Sequence, residues 1–425
     1  MGKVATVVLL LALGVAGFAG YSEFRFRQLS DALDAEIATY KRQRWDRPAL
    51  RGAAGEGNAT SEALATLDDF TGLTSEQRDA FATHVYYGSP LAAPELALLE
   101  QHRQRIAKLR AATLHAWAMT EMTLERGDAA ALPSYPLVMD AVLLALADGA
   151  RVSADECLLA CADVIRLGQD LVPGAAIEAA SVSMRITSVA SPVLVRCAAQ
   201  ASADALFRAA RELHVLATHP PPTGSTIEVA DLMAKIRLRG LAELLPDDSG
   251  DSPFTRLRRR PGLLDAWAYF DNPARWRELS ADRYPRALET WLKEHEWRAR
   301  SGMPLVASAT ADIDGWLLDD MRGQALVRAA AVGLATLAER VRRKRMPREP
   351  INLDDPALHD PFNGQQLKWR SSADAAELTL WSIGEDRRDD KGSSEWTPQA
   401  PRDVVLHFKL APLEEPPPPK RAPRR

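Results

Sequence analysis

From Val4 to Ser22 the chain carries no charged residue, and Val4–Leu13 is almost continuously apolar. As a helix, those nineteen residues span about 28 Å at about 1.5 Å each, close to the roughly 30 Å hydrocarbon core of a bilayer. A cleaved signal peptide is one reading: Met1-Gly2-Lys3 is a short basic start, and Gly17-Phe18-Ala19 offers small residues for cleavage. An uncleaved anchor is the other. Helix-compatible sequence continues through Tyr21–Arg27, and Leu29, Leu33, Ile37 and Tyr40 then form an i, i+4, i+8, i+11 stripe. The unbroken pattern favours the anchor. Lys3 faces Arg25 and Arg27 across the span, so the positive-inside rule does not decide orientation. Either way the bulk of the chain lies outside the cytoplasm.

The middle of the chain is read as helix after helix. Pro48 to Thr60, with Gly52, Gly55 and Gly57, has the composition of a linker. Thr74-Ser75-Glu76-Gln77 and Ser153-Ala154-Asp155-Glu156 are capping-box-like starts. Pro94 opens a helix expected to run through Trp117, and Pro136 opens another through Leu146. Val182, Ile186, Val189, Val193 and Cys197 share a stripe that Pro192 is expected to bend or restart. Ser202–His214 turns Leu206, Ala210 and Leu213 inward, and His219–Gly224 breaks the pattern. Gln324 to Arg343 is amphipathic. No fixed repeat of 30–45 residues is present, which leaves an irregular bundle of helical hairpins.

Near the C-terminus the period changes. Asp360-Pro361-Phe362-Asn363-Gly364 is a turn, since Pro fixes φ and Asn-Gly supplies a positive φ. Leu367–Arg370, Glu377–Ile383 and Asp403–Phe408 read as three strands of a small antiparallel sheet, with the Gly-bounded acidic loop Gly384–Gly392 between the last two. The residues Asp360-Pro361-Phe362-x-Gly364-x-x-Leu367, then Trp381-Ser382-Ile383-Gly384-x-Asp386-x-x-Asp389-Asp390-x-Gly392, then Asp403-Val404-Val405, resemble the C-terminal sheet of type II secretion major pseudopilins. They also resemble the ending of bacterial single-pass proteins with a long helical region. That resemblance covers about the last fifth of the chain. It implies calcium in the acidic loop, with Asp386, Asp389, Asp390 and Asp403 as the oxygen donors, because calcium takes several carboxylates on a flexible turn. Arg387, Arg388 and Lys391 interleave with the acids and offer them an alternative partner. The prepilin processing site, a Gly followed by Phe-Thr-x-x-Glu, is missing from the first residues. The resemblance is therefore one of module and not of fibre assembly.

Mononucleotide, dinucleotide, serine-hydrolase and zinc-protease motifs do not occur, and the eight histidines are scattered. His102 and His115 are expected on one helix, too far apart to share a metal. Cys157, Cys161 and Cys197 fall on apolar stripes; a hairpin about Pro173 would set Cys197 opposite residue 146, so free buried thiols are expected. A net charge of −4 with mixed signs gives no case for nucleic acid. Arg256–Arg260 reads as a solvated basic run.

The expected fold class is mainly α: an N-terminal transmembrane helix, an irregular helical bundle and a small C-terminal antiparallel sheet. The divisions are an anchor or signal peptide over 1–22, a juxtamembrane helix over 23–45 and a linker over 46–61. A helical domain over 62–319 follows, then a helix plus β module over 320–410 and a Pro-rich, basic, disordered tail over 411–425. The expected role is a non-enzymatic, single-pass, periplasmic scaffold or partner-binding protein of the bacterial inner membrane, associated with secretion. It has protein partners in the envelope and the membrane as its other partner. The alternative is an envelope enzyme, or a binding protein for an apolar or carbohydrate ligand, using the aromatic region Trp267–Trp297.

Overall fold

The computed structural model describes residues 2–51, 55–120, 135–175, 178–221, 313–393 and 403–410, together with Val229, Leu232, Met233, Lys235, Ile236 and Arg239. The side chains of residues 2–12 lie outside that description, and so does most of the expected anchor. The Arg256–Arg260 run, the Trp267–Trp297 region and the tail over 411–425 also lie outside the described residues. Among the described residues no helix is long and apolar enough to cross a membrane.

The protein is mainly helical, with a small three-stranded antiparallel sheet near the C-terminus. The chain begins with helix α1 (Gly2–Tyr40), whose stripe Leu29, Leu33, Ile37 and Tyr40 is buried as the spacing predicts. Next come β1 (Trp45–Asp46), β2 (Gly55–Asn58), α2 (Ala59–Asp68), α3 (Ser75–Tyr87), α4 (Ala93–Ala112) and β3 (His115–Ala118). The bundle proper follows, with α5 (Tyr135–Val152), α6 (Ala154–Asp170), α7 (Glu178–Ala198) and α8 (Ala203–Thr218). The last helix is α9 (Ile313–Arg343), which begins before the expected boundary at 320. It leads through a 3-10 turn (Pro356–Leu358) to β4 (Lys368–Ser371), β5 (Glu377–Ser382) and β6 (Val404–Lys409).

Local signals start and stop these helices where the sequence says. Thr74 and Gln77 complete a reciprocal capping box on α3, and Gly88 ends that helix at a φ of 74°. Ser153 Oγ accepts from Glu156 N at 3.1 Å to open α6, and Ser202 Oγ accepts from Ala205 N at 3.2 Å to open α8. Asp155 then receives Ser202 N and Oγ, both at 2.8 Å, which ties the two starts together.

Helix α6 is the axis of the bundle. Every residue from Cys157 to Asp170 is buried, with α5, α7 and α8 packed around it and α2 and α4 closing the remaining side. A helix buried all round must carry its charged side chains inward, and Asp163, Arg166 and Asp170 are 1% exposed each. Helix α9 packs along α7 and α8 and carries the sheet β4-β5-β6 on its outer side. Gly333 makes that approach possible: a Cβ there would stand 2.5 Å from the Phe408 ring and 3.2 Å from Leu380.

Four expectations are corrected. The stretch read as a linker starts inside β1 and contains β2, and these two strands flank β3, antiparallel on one side and parallel on the other. Glycine and proline spacing marks a break in helix, but it carries no information about a strand partner some sixty residues away. The helix opened by Pro94 stops at Ala112 rather than Trp117, because Arg47 takes the carbonyls of Ala112, Thr113 and His115, so His115 lies on a strand. Pro192 does not restart the helix, since α7 is continuous from Glu178 to Ala198 with the proline inside it. Finally, Cys157 and Cys197 form a disulfide with a Cα–Cα distance of 6.3 Å, leaving Cys161 as a free buried thiol. The register of α6 against α7 brings Cys157, and not residue 146, level with Cys197.

Candidate functional site

The features that carry chemistry gather where the bundle meets the sheet. Asp360 is the hinge of that junction. Its carboxylate, 1% exposed, accepts from Phe362 N and Ile383 N at 2.9 Å and from Ser382 Oγ at 2.8 Å. The first bond closes the Asp-Pro-Phe turn on itself, and the other two fasten that turn to the end of β5. Gly364 N donates to Asp360 O at 2.8 Å, with Gly364 at a φ of 69°. Burial pushes the Asp360 carboxyl above its ordinary range, while the three hydrogen bonds and the Arg328 guanidinium pull the other way. Arg328, projecting from α9, donates to His359 O at 2.5 Å.

Beside this hinge lies a cleft of about 400 Å³, bounded by Thr218 and Pro220 at the end of α8, Arg328, Pro356, His359 and Pro361. The His359 Nδ1 stands 3.1 Å from Gly364 O, an acceptor, so that nitrogen carries the ring proton. On the cleft wall Thr218 donates its hydroxyl to His214 O at 2.9 Å, and His219 Nδ1 lies 2.9 Å from that hydroxyl.

The acidic turn follows β5 directly, at the same end of the strand as the Asp360 turn. Among the described residues, no three or more His, Cys, Asp or Glu side chains are arranged to hold a metal ion. Asp386 accepts from Arg388 N at 3.0 Å, and Asp389 accepts from Lys391 N at 2.9 Å and from Trp381 Nε1 at 3.0 Å. Asp403 accepts from Gly392 N at 2.7 Å and from Asp390 N at 3.3 Å. The Trp381 N–H holds the Asp389 carboxyl below the ordinary range. Burial raises that of Asp403, with Asp389 and Asp390 adding repulsion. Thus Asp389, Asp390 and Asp403 are within electrostatic reach of one another, and Asp386 caps a separate part of the turn. Three of the four carboxylates, those of Asp386, Asp389 and Asp403, are fastened to backbone N–H groups rather than gathered into one ligand set. Glu385 joins them to the bundle through Arg322 at 2.5 Å.

Sequence reasoning missed the largest charged feature, a buried network around α6. Arg51 grips both Asp163 and Glu212, Arg110 reaches Asp163 and Glu156, and Arg47 and Arg166 flank Asp170. Arg47 and Arg51 come from the stretch read as a linker. The only signal available was Asp163, Arg166 and Asp170 on a helix otherwise apolar on every face. The network is balanced, four cations against four carboxylates. Its chemistry is fastening.

Comparison with family models, with curated proteins and with solved structures finds no match to this chain.

Proposed function

We propose that the chain is a non-enzymatic, single-pass protein of the bacterial cell envelope. The bulk of it is extracytoplasmic, and it works as a scaffold or partner-binding protein beside a secretion apparatus. One observation carries the reading. Every residue of α1 from Leu13 to Phe18 is exposed, with Leu13 at 60% and Phe18 at 49%, whereas Leu29, Leu33, Ile37 and Tyr40 are buried. Six consecutive exposed residues cover every face of a helix. An apolar helix uncovered all round suits lipid, and one that merely lies on a surface would keep a polar face. The Cys157–Cys197 pairing adds independent support, because disulfides persist in oxidising compartments. The pseudopilin-like residues of the C-terminal sheet support the link to secretion.

Fractionation tests this directly. The full chain is expected to stay in the membrane pellet after an alkaline wash, with its amino terminus intact and a C-terminal reporter active only outside the cytoplasm. A chain released by the wash and starting at Gly20 would overturn the anchor.

Calcium at the acidic turn is implied by the resemblance, and Asp386, Asp389 and Asp403 would have to bind it with carboxylates already oriented by backbone N–H groups. Calorimetric titration of Ca²⁺ is expected to give millimolar or weaker affinity, unchanged in an Asp386→Ala, Asp389→Ala variant. A saturating sub-millimolar site that the variant loses would make this turn a calcium centre.

A further inference from the structure

Val327, Leu334 and Val341 recur at every seventh residue and share one face of α9. The first two are 1% and 0% exposed, whereas Val341 is 40% exposed. The bundle therefore stops covering that face within the last two turns, and the end of α9 projects from it. Close by on α8, Phe207 is 53% exposed, and the Arg342 guanidinium lies 5.8 Å from the centre of its ring. Arg211, one turn along α8 from Phe207, is exposed on the same side.

The charges around this apolar pair are mostly of one sign. Arg342, Arg343, Lys344 and Arg345 follow one another, and all four are exposed. Glu339 pairs with both Arg342 and Arg343, and Asp204 lies one turn before Phe207. Arg211, Lys344 and Arg345 form no ion pair among the described residues. Attraction to the helix dipole accounts for Arg342 and Arg343 in the last turn of α9. It does not account for Arg345 beyond that helix, nor for Arg211 in the middle of α8. In a chain of net charge −4, this is a concentrated positive surface.

We propose that the projecting end of α9, with Phe207 of α8, is a docking surface for anionic lipid headgroups. Lipid phosphates meet the guanidinium and ammonium groups, and Phe207 and Val341 enter the boundary between headgroups and acyl chains. Two features favour a lipid surface over an acidic protein segment. The cations stand on a projecting helix end, and the apolar side chains lie among them instead of lining a groove. The proposal does not rest on the anchor, since every residue it uses lies on α8, on α9 or just after α9.

The test uses the full chain with the photoreactive analogue benzoylphenylalanine in place of Phe207, so that the readout comes from this surface and not from α1. Vesicles of phosphatidylcholine alone are compared with vesicles of equal parts phosphatidylcholine and phosphatidylglycerol. One cation near an anionic surface strengthens attachment about fivefold. On irradiation, lipid adducts at residue 207 are expected to be about fivefold or more higher on the anionic vesicles, and to fall back in high salt. Arg211→Ala with Arg345→Ala should lose most of that rise, and Arg211→Lys with Arg345→Lys, which keeps both charges, should retain it. Equal adduct yields on the two kinds of vesicle would overturn the proposal, whether or not α1 holds the chain in them. A rise that survives in the alanine variant would overturn it too. Adducts to protein instead of lipid, when the same chain is irradiated in whole membranes, would assign the surface to an acidic protein partner and sink the lipid reading.

Discussion

Replacing Arg51 by methionine should destabilise the protein by about 3–5 kcal/mol, the usual cost of removing one partner from a buried ion pair. Arg51 Nη2 lies 2.6 Å from Asp163 Oδ1 and 2.7 Å from Glu212 Oε2, and its Nε lies 2.7 Å from Glu212 Oε1. The two carboxylates have side chains only 1% and 3% exposed. Asp163 would keep Arg110 at 2.6 Å, so most of the loss falls on Glu212, which keeps the fields of Arg208 and Arg166. Burial already raises the Glu212 carboxyl above its ordinary range. Without Arg51 it would rise further and take up a proton. The raised value fixes the sign of the pH dependence: the variant should regain part of its stability as pH falls and Glu212 becomes neutral. A double variant, Arg51→Met with Glu212→Leu, should recover much of the loss, because an apolar pair of similar volume leaves no charge unpaired. Urea unfolding at several pH values measures all three proteins. An Arg51→Met protein within about 1 kcal/mol of the parent would show that water reaches Glu212 and that the network is not a fastening.

The second large effect is expected at the disulfide. Cys157 and Cys197 are 40 residues apart, and closing a loop of that length lowers unfolded-state entropy by the equivalent of about 4 kcal/mol at 25 °C. Cys157→Ala with Cys197→Ala should lose a comparable amount, partly because α6 and α7 are joined there at the end of their hairpin farthest from the turn. Thiol counting of the denatured chain provides the check: one reactive thiol before reduction and three after. Three thiols without reductant would exclude the bridge. Cys161, one turn along α6 from Cys157, is buried and is expected to contribute only packing.

The two sites differ from the parts of the fold that were legible in advance. The C-terminal strands were read to within a residue or so, because Glu377–Ile383 alternates and the Asp360–Gly364 turn contains both its proline and its glycine. The stripe of α1, the capping box at Thr74 and the start at Ser202 were legible for the same reason. Each is a contest between local conformations, decided within one or two turns of chain. The acidic loop was placed correctly as a Gly-bounded turn. The partners of its carboxylates were not legible, since an aspartate that caps a backbone N–H and one that faces an ion look alike in sequence.

What only the tertiary structure decided is everything that depends on distance along the chain. Arg51 and Glu212 are 161 residues apart and Arg51 and Asp163 are 112 apart, and no short window ties either pair. Arg47 reads as one more charge in a polar stretch until the end of α4 presents its carbonyls. The cysteines pair because of the register between α6 and α7, which Pro173 and Gly174 do not reveal. Strands β1, β2 and β3 are too short to stand alone and exist only because each supplies the other's hydrogen bonds. Sequence by itself determined the helices, the C-terminal sheet and the uncharged run that suits a membrane, since those follow from local periodicity and transfer energies. The pairing of buried charges, sulfurs and short strands followed only from packing, because its free energy belongs to two distant places at once.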